Sequence, residues 1–432
     1  WMEPTNWSCS GGAWPGDCSG DHARLDAGPP VDVTIPAGLV LGDIGVTRSG
    51  DVVRAGAGSL NVDNILGAGA FDATVATPAT VNNDVMVGTF LAPSASINVT
   101  GSFVVADSFD HNGGGVNLLA GPAALLGAPS PGFATLNVQS AYTLVADTRA
   151  AIVAVTVGGN LNVDDHVLTI GTSLDITFAT GFGFFGGSGT VVLRDGASWI
   201  TGGAQLTPDN GVVVFEGGGP PIPAETWGHV EVAGARSAGN ALMMQALTIP
   251  AGGSFDTNSF DLTVSPFGVA GGGTLVTAPP SAVNIDGGIT VANLVHNDNP
   301  ISLIGPGPIG PGLTFYGLDL NSGEVHDLEG SITVANDLNF NTGGIDVTPN
   351  NHTVTVGGDW NNAVIGFAFQ EGTVILAGDS ACACPPYLIT NGEFHHLDVQ
   401  GDYQATTNMF VLGNLNIDGV LDLGLNNLFV GP

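Results

Sequence analysis

The sequence predicts an all-β protein, a parallel β-helix (β-solenoid) of degenerate turns with an aromatic, cysteine-containing N-terminal cap. The first observation behind this prediction is a series of short runs in which apolar and polar residues alternate, each interrupted by Gly, Asn or Asp. The second is a scarcity of helix formers, since glycine makes up 67 of 432 residues and lysine is missing. The third is that similar clusters of runs recur with variable loops between them, as a stacked coil requires.

Residues 1–30 are predicted to form the N-terminal cap. This segment holds three tryptophans in its first fourteen positions and two cysteines, Cys9 and Cys18, on either side of a Gly/Pro turn. The first turn of a solenoid needs a cover for its open edge, and aromatic bulk with a local crosslink would provide one. A disulfide between these two cysteines would stabilise the segment by about 2 to 3 kcal/mol.

The rest of the chain is predicted to coil, first loosely and then regularly. Residues 31–131 show an alternation broken by proline and small residues, which predicts degenerate turns. Residues 132–432 are predicted to form the regular solenoid, with four super-repeats of about 80 to 94 residues. The core positions that align these super-repeats, together with one aromatic core position, are Leu136, Val230, Leu318, Leu397 and Trp360. In the last super-repeat, Phe410 and Leu412 form one of the short alternating runs, which places them on the same side of a strand.

The balance of charges restricts the partners that the protein can have. Six arginines and no lysine stand against 39 acidic residues, which gives a net charge of -33. Such a chain repels phosphate backbones and anionic lipids, so nucleic acid is not a predicted partner. We interpret the many Asp residues as turn and strand-capping residues, with calcium bound between turns as the alternative. No other cofactor is predicted.

The sequence favours a location outside the cell. It has no apolar run of about 18 residues, so membrane insertion is not predicted. Its start lacks the pattern of a signal peptide, and we expect a secreted chain of this kind to have lost that peptide already. Four cysteines without lysine fit an oxidising environment at the cell surface or beyond it. Three Asn-x-Ser/Thr triplets, at Asn6, Asn98 and Asn351, are possible glycosylation sites.

The four cysteines allow three disulfide pairings, and the sequence leaves all of them open. A bond between Cys382 and Cys384, across one intervening residue, is strained. In an extended solenoid this pair lies far from Cys9 and Cys18. The remaining route joins the N-terminal pair of one molecule to the C-terminal pair of the next, which predicts copies of the protein, arranged end to end, as partners.

Two clusters of ionisable residues are candidates for chemistry. His395 and His396 follow Cys384 at a spacing that suggests zinc, but strand alternation predicts that the two rings point to opposite faces, so no metal site is predicted. The Asp164-Asp165-His166 triplet is predicted to form a solvated turn, because neighbouring carboxylates of a strand do not converge on a substrate. No catalytic residue is predicted, and the protein is not expected to be an enzyme.

A cycle of motifs runs through the regular part of the chain. It reads aromatic-x-x-Leu-x-Val, Gly-Asn-Leu-x-Ile, Leu-Asp, Leu-x-Val-Gly-Gly-x-Trp and Gly-Thr-Val-x-Leu. The positions that match it are Phe394, Leu397 and Val399; Gly413, Asn414, Leu415 and Ile417; Leu421 and Asp422; Val354, Val356, Gly357, Gly358 and Trp360; Gly372, Thr373, Val374 and Leu376. In these motifs the chain resembles secreted bacterial β-strand-repeat proteins, whose β-helices are similar to filamentous-haemagglutinin and autotransporter passenger domains. The resemblance implies an extracellular structural or adhesive role and carries over no catalytic residues.

We therefore expect an extracellular structural protein, a β-solenoid building unit of a surface layer, stalk or filament that can polymerise head to tail. The alternative is an adhesin or glycan-binding surface module with surface glycans as partners, which exposed aromatic residues beside Asp/Asn loops would favour. The third reading is a β-helix polysaccharide-active enzyme, which needs two carboxylates that converge in a groove.

Overall fold

The structure of the protein is a computed structural model. It describes residues 7–8, 22–25, 32–35, 40–119, 124–129, 132–177, 179, 181–183, 187–201, 206–207, 210–347, 350–363, 367–368, 371–379 and 386–431. These residues form 49 strands and no helix, which confirms the predicted all-β fold. Strands pair in parallel with strands about one turn away, which confirms the parallel β-helix. Of the predicted cap, residues 1–30, only two short strands are described.

The chain divides into two compact units, Trp1–Pro220 and Pro221–Pro432, each of which is a β-solenoid in its own right. The predicted boundaries after residues 30 and 131 mark changes in sequence regularity and stay predictions. The strands of the first unit are β1 (Trp7–Ser8), β2 (His22–Leu25), β3 (Asp32–Ile35), β4 (Val40–Val46), β5 (Val52–Ala55), β6 (Gly58–Asp72), β7 (Ala76–Val81), β8 (Val85–Leu91), β9 (Ile97–Val99), β10 (Phe103–Asp110), β11 (Gly115–Leu118), β12 (Ala124–Gly127), β13 (Phe133–Val138), β14 (Ala141–Leu144), β15 (Thr148–Val155), β16 (Asn160–Asn162), β17 (Val167–Asp175), β18 (Gly181–Gly183), β19 (Thr190–Leu193), β20 (Ser198–Ile200), β21 (Leu206–Thr207) and β22 (Val212–Phe215).

Turns of the first unit stack in register about 20 residues apart. Leu136 in β13 pairs with Val116 in β11 on one side and with Val153 in β15 on the other. At the N-terminal end β1 runs antiparallel to β2, and β2 then pairs in parallel with β4. Strand alternation turns every second side chain inward, so the inward apolar residues of successive turns form a column along the stacking direction.

The second unit has the same construction. Its strands are β23 (Thr226–Val232), β24 (Ala235–Ser237), β25 (Leu242–Thr248), β26 (Ser254–Asp256), β27 (Leu262–Val264), β28 (Val269–Val276), β29 (Val283–Ile285), β30 (Ile289–Val295), β31 (Ile301–Leu303), β32 (Thr314–Phe315), β33 (Leu318–Leu320), β34 (Val325–Asp327), β35 (Ile332–Val334), β36 (Leu338–Phe340), β37 (Gly344–Asp346), β38 (Thr353–Val356), β39 (Trp360–Asn362), β40 (Phe367–Ala368), β41 (Thr373–Leu376), β42 (Tyr387–Thr390), β43 (Glu393–Phe394), β44 (His396–Val399), β45 (Asp402–Ala405), β46 (Met409–Val411), β47 (Leu415–Ile417), β48 (Val420–Asp422) and β49 (Leu428–Val430).

In the later turns of the second unit each turn contributes three strands to three parallel sheets. The first sheet runs from β32 through β35, β38, β41 and β44 to β47. The second contains β33, β36, β39, β42, β45 and β48, and the third side holds β34, β37 and β40 and then β43, β46 and β49. Such a turn is closed on three sides around an apolar interior.

The interior is filled by columns of large side chains at matching positions of successive turns. In the first unit Phe71, Phe90 and Phe109 are register partners, with ring centroids 5.9 and 6.3 Å apart. In the second unit the indole of Trp360 packs 5.0 Å from Phe340 and 5.1 Å from Phe394. These contacts join neighbouring turns, so the core is continuous along each unit rather than divided into separate globules.

Glycine permits the sharp corners between two sides of a turn. The register of β6 shifts between Gly67 and Ala70, and that of β28 shifts between Gly271 and Thr274. Gly67 has a φ of 127° and Gly271 a φ of 122°, and a Cβ at either position would collide with a backbone carbonyl of the preceding turn. The corner therefore requires glycine both for its backbone conformation and for the close approach of the turns.

Buried tyrosines tie turns that are not direct neighbours. The Tyr403 hydroxyl lies 3.1 Å from the carbonyl oxygens of Val356 and Gly358, and it accepts a hydrogen bond from the Gly378 N–H at 3.1 Å. Burial raises the pKa of Tyr403. In the first unit the Tyr142 hydroxyl donates to the Gly101 carbonyl at 2.8 Å, and burial together with the charge of Asp84 raises the Tyr142 pKa to about 12.

Phe410 and Leu412 lie on the same side of the chain, as the predicted alternation requires, but this side faces outward and not into the core. The structure buries Met409 and Val411, and it turns Phe410 and Leu412 outward, 40% and 51% exposed. Four apolar residues follow one another here, Met409 to Leu412, so a period of two cannot decide which pair faces the core.

Candidate functional site

Amide side chains form hydrogen-bonded ladders along the outside of both units. In the first unit Asn137 donates to Asn117 at 2.7 Å, and Asn117 donates to Asn98 at 2.8 Å. In the second unit Asn361 donates to Asn339 at 2.9 Å, and Asn339 donates to Asp319 at 2.7 Å. Register partners on stacked strands lie ~4.8 Å apart, close enough for each amide to reach the next. The ladders add bonds along the stacking direction.

Carboxylates at the corners bind the backbone of the following turn. Asp337 Oδ1 accepts from the Asp359 N–H at 2.8 Å, and Asp359 Oδ1 accepts from the Leu388 N–H at 2.7 Å. Burial, with the charge of Asp337 added to it, raises the pKa of Asp359. In the first unit Asp84 Oδ1 accepts from the Ser102 N–H at 2.6 Å. These bonds link separate turns, which is a different use of aspartate from the local turn chemistry that the sequence suggested.

The two predicted glycosylation sites in the described part of the chain have different environments. Asn98 lies within β9, and its amide oxygen is occupied by Asn117. Asn351 lies in an exposed turn with a φ of 52°, and its amide lies 3.4 Å from Glu371 Oε2. Asn6 is outside the described residues, and glycosylation at all three remains a prediction.

The Asp164-Asp165-His166 triplet forms the turn between β16 and β17. Asp164 has a φ of 53°, and Asp165 Oδ1 accepts from the Ser188 N–H at 2.7 Å and from the Ser188 hydroxyl at 3.1 Å. These two bonds lower the pKa of Asp165. His166 Nδ1 lies 3.9 Å from Asp147 Oδ1. The Asp165 carboxylate thus connects two turns in this arrangement.

His395 and His396 do not point to opposite faces, so that prediction is wrong. Both rings are partly exposed, and their centroids lie 4.5 Å apart at an angle of 74°. His395 lies in the corner between β43 and β44, where strand alternation does not apply. His396 Nδ1 accepts a hydrogen bond from the Asn414 N–H at 2.9 Å, which takes the place that an aspartate oxygen has at other corners.

The predicted disulfide residues, Cys9, Cys18, Cys382 and Cys384, all lie outside the described residues. Within the ranges that are described, no group of three or more His, Cys, Asp or Glu side chains is arranged to hold a metal ion. Calcium binding therefore stays a hypothesis. Among the described residues there is also no helix that is long and apolar enough to cross a bilayer.

The five predicted core positions are buried, and those in the second unit belong to three different columns. Leu318 shares a column with Leu338 and Trp360. Val230 lies in the column of Leu247, and Leu397 lies in that of Val374. The spacing seen in the sequence thus relates strands of similar pattern on different sides of the solenoid. Leu136 is the buried core position in the first unit.

A buried histidine went unrecognised in the sequence. His326 in β34 is fully buried, and its Nδ1–H donates to the Gly307 carbonyl at 2.9 Å. Its Nε2 lies 3.1 Å from the Ser322 hydroxyl, which can donate to it when the ring is neutral. Burial lowers the pKa of His326, so the neutral ring is the form that the core accommodates.

The last described turn, β47 to β49, exposes side chains whose register partners in the preceding turn are buried. Among the described strands each of these three pairs on one side only. We call its inward side chains the end face; they are Leu415, Ile417, Leu421, Leu428 and Val430. Ile417 and Val430 are 44% and 51% exposed. Unpaired strand edges beside apolar side chains form a surface on which a further β turn can stack.

An outward aromatic pair lies next to this end face. Phe410 and Phe429 are register partners whose rings stack at 4.9 Å with an interplanar angle of 11°. Beside them the Asn427 N–H donates to Asn408 Oδ1 at 2.9 Å, so polar corner residues flank the rings. The runs of consecutive apolar residues at both positions were the only sequence signal that could have indicated an outward aromatic.

Comparison of the chain with protein-family models, with curated proteins and with solved structures gives no match. The resemblance to secreted bacterial β-strand-repeat proteins therefore depends on the sequence motifs alone.

Proposed function

We propose that the protein is an extracellular structural element, a β-solenoid building unit of a surface layer, stalk or filament. The observation that carries this proposal is the way neighbouring turns are connected. Apolar columns, amide ladders and corner carboxylates all run along the stacking direction. A body built in this way resists bending and extension, because deforming it breaks many of these contacts together.

The proposed mode of assembly is head to tail, through the end face of one copy. A turn that stacks there would bury Ile417 and Val430 and would pair the edges of β47, β48 and β49 that face away from β44, β45 and β46. A second copy of the chain is the proposed occupant, and its N-terminal end would have to present unpaired parallel strand edges to the end face. Contacts of this heterologous type generate open filaments.

Electron microscopy of the purified protein across a range of concentrations tests the assembly. We expect filaments from the wild-type protein and isolated particles from Ile417→Asp and Val430→Asp, which put a charge on the end face. Val420→Asp is the matched control, since Val420 lies on the same turn but points outward as the partner of Asp402. Isolated particles from the wild type at every concentration, or filaments from Ile417→Asp, would contradict the proposal.

A covalent form of the same assembly would use Cys9, Cys18, Cys382 and Cys384. Gel electrophoresis with and without a reducing agent separates the two forms. Multimer bands that convert to the monomer on reduction would support disulfides between copies. A monomer band in both lanes would exclude such disulfides and would leave noncovalent stacking as the proposed contact.

The second candidate is a glycan-binding surface module. The stacked rings of Phe410 and Phe429 beside Asn408 and Asn427 favour it, because sugar rings pack against exposed aromatic residues while amides bond their hydroxyl groups. A glycan array tests this candidate. Binding that Phe429→Ala abolishes and Phe267→Ala preserves would support it, since Phe267 is also an exposed phenylalanine, in a different loop.

A further inference from the structure

A small cavity opens beside the outward aromatic pair, on the side away from the end face. It has a volume of about 150 Å³ and is lined by Glu393, Phe394, Phe410 and Leu412. It lies where β43 of one turn meets β46 of the next. A cavity of this size lined by apolar groups can hold a ligand as large as benzene.

The cavity is an interruption in an outward column of side chains. Glu393, Phe410 and Phe429 occupy matching positions of three successive turns. One face of the Phe410 ring is covered by Phe429, and the opposite face is turned toward the turn that carries Glu393. The flexible carboxylate of Glu393 does not cover this face as an aromatic ring would. A planar or compact group from outside the chain could therefore stack on Phe410 and complete the column.

Two features of the lining attract a positive charge. The face of the Phe410 ring carries the negative part of the ring quadrupole, and Glu393 contributes a carboxylate to the lining. The chain cannot supply a lysine or arginine of its own from this region, because it has no lysine and its last arginine is Arg236. A cation from outside would therefore meet little competition.

The remaining lining decides what kind of cation fits. Phe394 is buried and Leu412 is half-exposed, so the cavity offers apolar walls and one carboxylate. Calcium and magnesium require six or more oxygen ligands, and a single carboxylate does not satisfy them. A guanidinium or methylated ammonium group is weakly hydrated, matches the volume, and can contact the ring and the carboxylate together.

We propose that this cavity binds an organic cation, a guanidinium or methylated ammonium group, between the ring of Phe410 and the carboxylate of Glu393. This site does not depend on end-to-end assembly, because the cavity lies between two turns of one chain. The group can belong to a free small molecule or to a side chain of a polypeptide, and both sources present the same chemistry to the cavity.

Titrations followed by NMR of protein with labelled phenylalanine test the site, with tetramethylammonium chloride as the small-molecule probe. N-acetyl-arginine amide and N-acetyl-trimethyllysine amide represent the polypeptide source. tert-Butanol serves as the neutral probe of similar shape, and methyl glucoside as the sugar. We expect saturable shifts of the Phe410 signals with the cations and none with tert-butanol.

Variants separate the site from nonspecific attraction to an acidic protein. Phe410→Ala and Glu393→Gln should each weaken cation binding about fivefold or more. Phe267→Ala and Glu329→Gln, which remove an exposed phenylalanine and an exposed carboxylate elsewhere in the second unit, should not. Circular dichroism confirms that each variant remains folded.

The proposal would be overturned by no saturable shift with any cation, by equal binding of tert-butanol, or by equal weakening by the control variants. Saturable binding of methyl glucoside without cation binding would overturn it as well and would favour the glycan-binding candidate. Binding of tetramethylammonium but of neither amino-acid amide would retain the site and assign it to a free small molecule. Failure of the site would leave the structural role intact, since filament formation is measured separately.

Discussion

Two neighbouring turns at the end of the second unit have nearly the same pattern and different environments. In the turn β44 to β46, Val399 and Val411 have no exposed surface. Their register partners in the turn β47 to β49, Ile417 and Val430, are 44% and 51% exposed. The residue types and the strands of the two turns are alike. They differ in exposure because the turn β44 to β46 is covered by the turn β47 to β49.

This comparison shows that the apolar side chains of a turn are buried mainly by the neighbouring turns and not by the other side chains of the same turn. An isolated turn has too little apolar surface to fold, and each added turn supplies the cover for the one before. Stability is then a sum over interfaces between turns. Equivalent substitutions in the two turns should consequently have unequal effects on stability.

Truncation of a core leucine should show the largest contrast. Leu397→Ala removes a buried side chain between two turns and should lower the free energy of unfolding by about 2 to 5 kcal/mol. Leu415→Ala, its register partner, should cost about 1 kcal/mol or less, because no closed cavity forms. Urea unfolding of both variants measures the difference. Equal losses of unfolding free energy in the two variants would contradict the dependence of burial on the neighbouring turn.

Glycine substitutions should give the next largest contrast. A Cβ at Gly401 would collide with the Gly378 carbonyl of the preceding turn, so Gly401→Ala should cost about 1 to 3 kcal/mol. Gly424 in the last turn has a φ of 55° and open space around it, so Gly424→Ala carries the backbone strain alone, about 1 kcal/mol. Thermal unfolding compares the two, and the reverse order would contradict the role of close contact between turns.

Removal of the Tyr403 hydroxyl should have an effect of similar size to the Gly401 substitution. Tyr403→Phe leaves the Gly378 N–H without its acceptor and should lower stability by about 1 to 3 kcal/mol. Tyr387→Phe is the matched control, since Tyr387 is the register partner of Tyr403 and packs against it from a more exposed position. We expect the control to change stability by about 0.5 kcal/mol or less in the same urea experiment.

Acid should weaken the interior turns through His326. Burial lowers the pKa of His326 in the folded protein, so the unfolded chain takes up the proton first as the pH falls. The stability that the neutral ring confers is complete above the unfolded pKa of about 6.5 and is lost as the pH falls below it. His326→Gln should therefore reduce the slope of stability against pH in this window. An unchanged slope would remove His326 as the cause.

Sequence reasoning found the fold because the interior strands alternate cleanly, as Leu397 and Val399 do. It failed at Met409 to Leu412, where four apolar residues in a row leave the phase of the strand undetermined. It also failed at His395, which lies in a corner where alternation ends. Val230, Leu318 and Leu397 look equivalent in sequence because the three sides of a turn use the same short pattern, which does not reveal on which side each strand lies.

The candidate surfaces were harder to predict than the fold. The cavity beside Phe410 depends on Glu393 being its register partner in the preceding turn, and strands β44 and β45 separate the two residues in the chain. The corner carboxylates, such as Asp359, looked like ordinary turn residues because their acceptor role involves a turn more than 20 residues away. Contacts of this kind follow from the register between turns, which the local sequence does not encode.

Hydrogen exchange of the backbone amides, measured residue by residue, tests the dependence of each turn on its neighbours most directly. In dilute protein the amides of β44 to β46 should exchange slowly and those of β47 to β49 quickly, and assembly into filaments should slow the second group to the level of the first. Equal protection of the two turns in dilute protein would contradict the account.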